Sequence, residues 1–384
     1  MSAEVQTSAG AGLGARAIGA RQPGLDRLRG TAILLVLILH YCVHGAASLG
    51  DSPVWQRAAS ALSFSWSGVD LFFVLSGFLL GGTLMDRRRS ESYFTVFYAR
   101  RILRIVPLYG LIVASWLLIS GGTDFWMYAT FTQDFFWGLT GDHSPVWTNV
   151  TWSLAVEEQF YLVLPLIVFL LPPRWLPQTL VGLILTAPML RMLMVWGFDA
   201  GISSAYELMP CRMDSLFLGV MAAWAVRQPD VCRMARANPG MLRVMAGIGG
   251  AGIIVATFLK WDNTMPQIWL LGYTWIAAFF ALIVFAAAIR PSALKAGPLA
   301  WIGERSYSIY LVHMPVLLTV SYCVGDGIGP RLIALGAALM LAWALYYFVE
   351  QPILSFSHAQ FRYQVPARMP VCQRDAAATD MRRL

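Results

Sequence analysis

Residues 267–289 read QIWLLGYTWIAAFFALIVFAAAI, without a single Asp, Glu, Lys, Arg or His. A helix rises about 1.5 Å per residue, so roughly 20 apolar residues cross the ~30 Å hydrocarbon core of a bilayer. This run is long enough, and it is one of several. The 384-residue chain is 58% hydrophobic and 13% charged, with a mean hydropathy of +0.60. Soluble domains carry about a quarter charged residues, so this chain is too poor in charge to cover a water-facing surface. Its 15 tryptophans suit rings that sit at a membrane interface. The fold class expected is an all-α integral membrane bundle.

Ten spans are predicted, at 28–47, 62–83, 104–121, 153–171, 176–197, 209–226, 241–259, 267–289, 299–320 and 330–350. Positive charge should collect on the cytoplasmic side, and with ten spans it does. Arg16, Arg21, Arg27 and Arg29 precede the first span. Arg87, Arg88, Arg89, Arg100 and Arg101 join the second to the third, with Arg104 at its edge. Arg174, the group Arg227, Arg233 and Arg236, the pair Arg290 and Lys295, and the tail fall on the same side. The opposite loop, 122–151, has no Lys or Arg but carries Asp124, Asp134 and Asp142. The alternation requires that the aromatic stretch 125–137 does not cross, so it is predicted to be interfacial or re-entrant. Both termini are then cytoplasmic. Residues 1–24 are expected to form a disordered arm, 25–355 the transmembrane domain and 356–384 a cytoplasmic tail. The first apolar run is too long for a signal core. No sequence repeat is visible.

The net charge of +7, from 28 Lys+Arg against 21 Asp+Glu, does not point to nucleic acid, because the arginines cluster between apolar helices. Five cysteines without CxxC spacing predict neither disulfides nor zinc.

Ionisable groups inside a membrane helix cost a few kcal/mol and mark function by default. His40 lies about 16 Å along the helix from Arg29 and shares a face with Arg29 and Val36. One face thus carries a cation at the cytoplasmic edge and a base deep in the bilayer. His44, one turn on, makes a metal pair conceivable, but no further ligands accompany it, and no metal is expected. His313 lies at similar depth, ahead of Pro315. A neutral histidine bonded to a neighbouring helix accounts for either residue alone. Ser153, Glu157 and Tyr161 are spaced i, i+4 and line one stripe, with Glu158 about 100° away. A helix N-terminus also favours carboxylates there. Arg101 and Arg104 are expected on the first turn of the third span, where arginine suits phosphate through bidentate contacts. Arg191, Arg212 and Asp214 are expected to pair with one another. Cations inside with a base and a carboxylate further out fit a phosphorylated donor whose reactive end is threaded outward. A transporter fits composition equally well.

Leu25-Asp26-Arg27-Leu28-Arg29-Gly30 followed by an apolar run ending at His40 resembles the opening of the acyltransferase-3 family of membrane acyltransferases. Four further stretches match in that family's order: 72–79 (FFVLSGFL), 101–107 (RILRIVP), 152–161 (WSLAVEEQFY) and 306–313 (SYSIYLVH). Arg212 to Gly219 is similar to its sixth span. Val349-Glu350-Gln351-Pro352 is similar to its closing motif, where Arg often replaces Gln351. The resemblance runs from about 25 to 355.

It implies transfer of an acetyl or longer acyl group from cytoplasmic acyl-CoA to a hydroxyl of a cell-surface glycan or its precursor, or to a macrolide-type molecule. By motif, His40 is implied as the catalytic base, Glu157 as a catalytic carboxylate that would orient His40 or bind the acceptor, and Arg29, Arg101 and Arg104 as contacts in the acyl-CoA path. Ser153, Tyr161, Ser306, Tyr307 and His313 are candidates for binding the acceptor or the developing oxyanion. Acyl-CoA is then the donor substrate, with no permanently bound cofactor, in a bacterial cytoplasmic (inner) membrane. Some family members carry a fused esterase-like domain; this chain would work alone or with a separate partner. Direct transfer and a covalent acyl-enzyme remain open. The rivals are a secondary transporter, for which the expected inverted repeat is not found, and a non-catalytic assembly subunit.

Overall fold

Among the described residues, proline sits at the first or second position of eight helices, where its missing N–H costs nothing. The computed structural model describes residues 22–44, 53–120, 125–143, 146–290 and 297–364. Among these, all regular structure is helical. In chain order the helices are α1 (Pro23–Ile38), continued by a π-turn at Leu39–Val43, α2 (Pro53–Ala61), α3 (Gly68–Arg87), α4 (Tyr93–Ser120), α5 (Phe125–Thr130) and α6 (Gln133–Thr140). Then follow α7 (Trp152–Leu170), α8 (Leu176–Met192), α9 (Ile202–Glu207), α10 (Met209–Ala225), α11 (Pro229–Ala237) and α12 (Pro239–Phe258). The last are α13 (Tyr273–Ile289), α14 (Pro298–Glu304), α15 (Ser306–Val324), α16 (Ile328–Leu345) and α17 (Gln351–Gln360).

Among the described residues, eight helical runs are long and apolar enough to cross a bilayer, so the chain is an all-α, multi-pass membrane protein. The expected spans 28–47 and 209–226 are not among the eight. α1 carries Asp26, Arg27 and Arg29, and α10 has 17 residues that include Arg212 and Asp214. Leu118, Phe258 and Phe348 are among the large apolar side chains left outward-facing, as lipid contact requires.

α10 is the hub, packed on α3, α7, α8, α9 and α13. Its contact with α3 is backbone to backbone. A Cβ at Gly77 would stand 1.9 Å from the Leu216 carbonyl oxygen, and one at Gly219 would stand 2.1 Å from that of Val74. Small residues allow such approach where no hydrophobic effect drives helices together. The charges on α10 resolve into two buried ion pairs rather than the expected trio. Arg191 Nη1 donates to Asp214 Oδ2 (2.9 Å), whereas Arg212 Nη2 donates to Asp70 Oδ1 (2.6 Å). Arg212 also lies over the Tyr273 ring, 4.3 Å from its centroid.

Several expected boundaries move. The third span begins at Tyr93, so Arg100, Arg101 and Arg104 sit on its second to fourth turns and not its first. The ninth is broken at Arg305: α14 lies across α1, and a Cβ at Gly303 would stand 1.8 Å from Asp26 O, so the spanning helix starts only at Ser306. The stretch 125–137 forms two helices of 6 and 8 residues, too short to cross. Cys42, Cys211 and Cys323 are free thiols, but Cys232 is disulfide-bonded, contrary to the expectation of none. The expected N-terminal arm up to residue 21, and the tail beyond 364, lie outside the described residues.

Candidate active site

Two chambers meet inside the bundle. The inner one, ≈ 100 Å³, is lined by Arg29, Arg101, Arg104, Glu157, Tyr161 and Tyr307 among others. The outer one, ≈ 540 Å³, is lined by His40, His44, His143 and Glu207 among others. Val69 and Tyr310 line both and form the septum between them. Tyr310 is held there by its hydroxyl, which donates to Val150 O (2.8 Å) and accepts from Ser153 Oγ (2.6 Å).

The arginines predicted to lie on the cytoplasmic side divide sharply by partner. Arg88 donates to Phe169 O and Leu171 O at the end of α7. Arg227 grips Asp86. Arg100 places Nε and Nη2 on Phe361 O (2.9 and 2.6 Å), while Tyr363 lies against Arg87 and Arg100. Arg101 and Arg104 face the inner chamber and make no hydrogen bond or ion pair among the described residues. Arg29, beside them, reaches only Asp26, at 3.2 Å. Partly buried guanidinium groups whose donors are not taken up by a direct partner create a site for an anion, and their planar forks suit phosphate.

Glu157 belongs to this same inner chamber. Its Oε2 accepts from Tyr161 OH at 2.5 Å, and Tyr161 OH in turn contacts Ser76 Oγ at 2.9 Å. The i, i+4 stripe of Ser153, Glu157 and Tyr161 therefore points one way, as its spacing predicts. It does not point at His40. Tyr307 OH donates to Ile105 O (2.7 Å), so its proton is engaged by backbone and it is a poor oxyanion donor in this state. Ser306 lines the inner chamber.

His40 sits on the π-turn that follows α1, and lines the outer chamber. Such bulges recur at functional sites because they re-aim a side chain without ending the helix. Two long-range contacts fix this one: Tyr41 OH donates to His313 O (3.0 Å), and Arg331 Nη1 donates to Tyr41 O (2.9 Å). The partners of each imidazole also assign its protons. His313 Nδ1 faces Tyr310 O at 2.6 Å and must donate, which leaves Nε2 as an acceptor. That Nε2 faces His40 Nδ1 at 3.3 Å, and His40 Nδ1 also faces Val36 O at 3.0 Å. His40 Nδ1 therefore carries the proton and Nε2 keeps its lone pair. His313 is fully buried and acts on His40, with no N–H left to offer an oxyanion. The described residues contain no group of three or more metal-ligating side chains.

Sequence reading missed several of these parts. Asp70, the partner of Arg212, carries the same signal as the residues singled out, an ionisable group within an apolar run. Tyr310 and Arg331 carry no local signal, since only tertiary contact gives them a role. The pair His143–Glu207, at 2.7 Å, joins a loop to the end of α9, 64 positions apart.

Comparison with known proteins adds to this geometry. The chain is 28% identical to the O-acetyltransferase OatA of Staphylococcus aureus over 367 residues, covering 86% of this chain and 57% of that protein. It is 25% identical to the putative peptidoglycan O-acetyltransferase YrhL of Bacillus subtilis, covering 89% and 56%. It is 28% identical to the peptidoglycan O-acetyltransferase OatA of Listeria monocytogenes, covering 86% and 55%. The chain thus spans a little over half the length of these relatives. No solved structure matches it. The family described as an acyltransferase domain matches residues 22–349, a span that holds every residue of both chambers named above, and the chain belongs to that acyltransferase-3 family.

Proposed function

We propose that this protein is a membrane O-acetyltransferase that moves an acetyl group from cytoplasmic acetyl-CoA to a hydroxyl of a cell-surface glycan. The observation that carries this reading is the inner chamber, where Arg101 and Arg104 stand beside Arg29 without a direct hydrogen bond or ion pair among the described residues, and which abuts the chamber of His40 across Val69 and Tyr310. The phosphates of CoA rest on these arginines, and the slender pantetheine arm runs up the narrow inner chamber to Tyr310. Two of the relatives carry the name peptidoglycan O-acetyltransferase, which supports a glycan acceptor. The setting is the bacterial cytoplasmic membrane, with ten spans and both termini inside.

The acceptor hydroxyl enters from the outer chamber. His40 Nε2 takes its proton as the oxygen attacks the thioester carbonyl, a general-base step worth about 10²–10⁴ in rate. The C–S bond then breaks, the ester is left on the acceptor, and the thiolate of CoA regains a proton and departs inward. His313, bonded to His40 Nδ1, keeps the lone pair aimed at the hydroxyl. Glu157 acts on the donor side, holding Tyr161 and balancing the arginines.

The test is release of CoA and labelled product from radiolabelled acetyl-CoA by the purified protein in liposomes, wild type beside His40→Ala. Wild-type transfer that the variant lacks, with unchanged elution of the variant on size exclusion, supports the reading. Movement of a solute across the bilayer with no acetyl transfer to any glycan overturns it in favour of transport.

A further inference from the structure

Cations are scarce on the face of the bundle opposite the arginine-rich one. Among the described residues, the loops and helix ends there carry Arg57, Lys260 and Arg331. Arg331 is engaged, with Nη1 donating to Tyr41 O at 2.9 Å and Nη2 3.7 Å from Asp326 Oδ1. The side chains of Arg57 and Lys260 make no hydrogen bond or ion pair among the described residues. They come from different elements, α2 and the end of α12, yet both line one pocket of ≈ 640 Å³. Most of its wall is apolar, built by Leu35 of α1, Ile254 and Phe258 of α12 and Phe280 of α13. Ile254 and Phe258 are also outward-facing, so the pocket opens towards lipid. The backbone of Lys260 is an independent sign of use. It stands at φ +55, in the left-handed region, where α12 closes with Trp261 N–H on Ala256 O at 2.9 Å. That closing position ordinarily falls to glycine, because a Cβ there is strained. A lysine kept at a strained position points to a role for its side chain. Depth agrees with such a role. α12 has 20 residues, about 30 Å, the thickness of the hydrocarbon core. Lys260, two positions past its end, therefore reaches the level of the lipid phosphates.

We propose that this pocket is a binding site for an anionic glycerophospholipid, whose phosphate rests between Arg57 and Lys260 and whose acyl chain lies on Leu35, Ile254, Phe258 and Phe280. Charge and shape select the occupant together. A free phosphate would leave the apolar wall bare, and a zwitterionic lipid would bring its own cation against the two already there. The site is separate from both chambers and from the arginines assigned to CoA. The turn Ser63–Ser67 divides it from the outer chamber: Phe64, Ser65 and Ser67 line the pocket, whereas Ser63 and Trp66 line the chamber. A lipid seated here packs against the back of that wall. The proposal goes beyond the acetyltransferase reading and stands whether or not that reading does.

The test is native mass spectrometry of the full chain in detergent, titrated with phosphatidylglycerol or with phosphatidylcholine of the same chains. Wild type should bind phosphatidylglycerol about ten-fold more tightly or better, since two cations near a lipid phosphate act together. Arg57→Gln and Lys260→Gly should each weaken it about five-fold, and the two together about twenty-five-fold. Lys260→Gly also releases the left-handed strain, so it should melt no lower than wild type. Lipid lost without loss of Tm cannot come from unfolding. Arg243→Gln, which removes an exposed cation at the other end of α12, should leave the affinity within about two-fold of wild type, as a local site requires. Equal binding of the two lipids, unchanged affinity in both Arg57→Gln and Lys260→Gly, or an equal loss in Arg243→Gln overturns the site. Glycerol phosphate, which has the anion and no chains, should not displace the lipid; displacement would make this an anion site and overturn the lipid assignment. Undecaprenyl phosphate that displaces phosphatidylglycerol at a lower concentration than unlabelled phosphatidylglycerol itself would give the pocket to an isoprenoid carrier, and would overturn the glycerophospholipid too.

Discussion

Replacing Arg101 and Arg104 together by glutamine removes the two guanidinium groups that face the inner chamber without partners. A hydrogen bond to a charged group contributes about 1.5–3 kcal/mol, and charge-assisted pairs lie at the upper end. Neighbouring arginines on one phosphate group do not add fully, so about 3 kcal/mol is expected for the pair, which is a factor of roughly 150 in donor affinity. The assay compares acetyl-CoA with acetyl-pantetheine, which keeps the thioester and lacks every phosphate. Wild type should strongly prefer acetyl-CoA. The double variant should lose about two orders of magnitude on acetyl-CoA and little on acetyl-pantetheine, so that the preference collapses. Lysine at both positions should fall between, since an ammonium keeps the charge but loses the planar fork. Arg100→Gln is the control: its guanidinium is already spent on Phe361 O, and the donor preference should not change. A double variant that still favours acetyl-CoA by the wild-type ratio would refute the phosphate role of these arginines.

Other consequences follow from single contacts. Arg331→Ala frees the carbonyl of Tyr41 on the π-turn, so kcat should fall roughly ten- to a hundred-fold with the donor KM unchanged, as expected when a base is misplaced by a fraction of an ångström to an ångström; an unchanged kcat would remove Arg331 from the positioning of His40. Gly77→Ala puts a Cβ against the Leu216 carbonyl, 1.9 Å away, and should destabilise the protein by about 3 kcal/mol, read as a lower Tm in detergent; an unchanged Tm would mean that α3 and α10 part easily. Asp134 lies on α6, outside the spans, where burial pushes its carboxyl up to about 7. The folded state therefore holds that proton more tightly than the unfolded chain, whose aspartates titrate near about 3.9. Stability should fall as pH rises from about 4 to about 7, and Asp134→Asn should melt above wild type at pH 8 and level with it at pH 4. Parallel pH profiles for the two proteins would rule out this titration.

The sequence makes the bundle legible because apolar runs of bilayer length leave little alternative, and the ordered motifs make the family legible. Where it misleads, the missing information is three-dimensional. The face shared by Arg29, Val36 and His40 is visible on a helical wheel, but not that a π-turn carries His40 into a different chamber from Arg29. Spacing puts Glu157 on a stripe with Tyr161, yet only the packing of α7 against α3 and α15 decides that this stripe looks at the arginines. The pairing of His40 with His313 joins residues 273 positions apart, and a single chain without that contact gives each histidine the same bland reading. The break at Arg305 is hidden for a related reason. Residues 299–320 are apolar enough for one helix, and the local twist comes from the crossing of Gly303 over Asp26.

The septum of Val69 and Tyr310 also has an electrical meaning. In the reaction proposed above, acetyl-CoA and CoA stay on one side of it and the free and acetylated glycan stay on the other. An acyl group passes outward, and the hydrogen of the acceptor hydroxyl ends on the thiol inside. Each chamber returns a molecule with the charge of the one it received, so no net charge moves. A membrane potential of 100 mV acts on each transferred charge with about 2.3 kcal/mol, and here it has none to act on. Turnover is then driven by the thioester alone. Liposomes with a collapsed potential should acetylate as fast as energised ones, and the barrier that keeps two aqueous compartments apart need not be breached for chemistry to cross it.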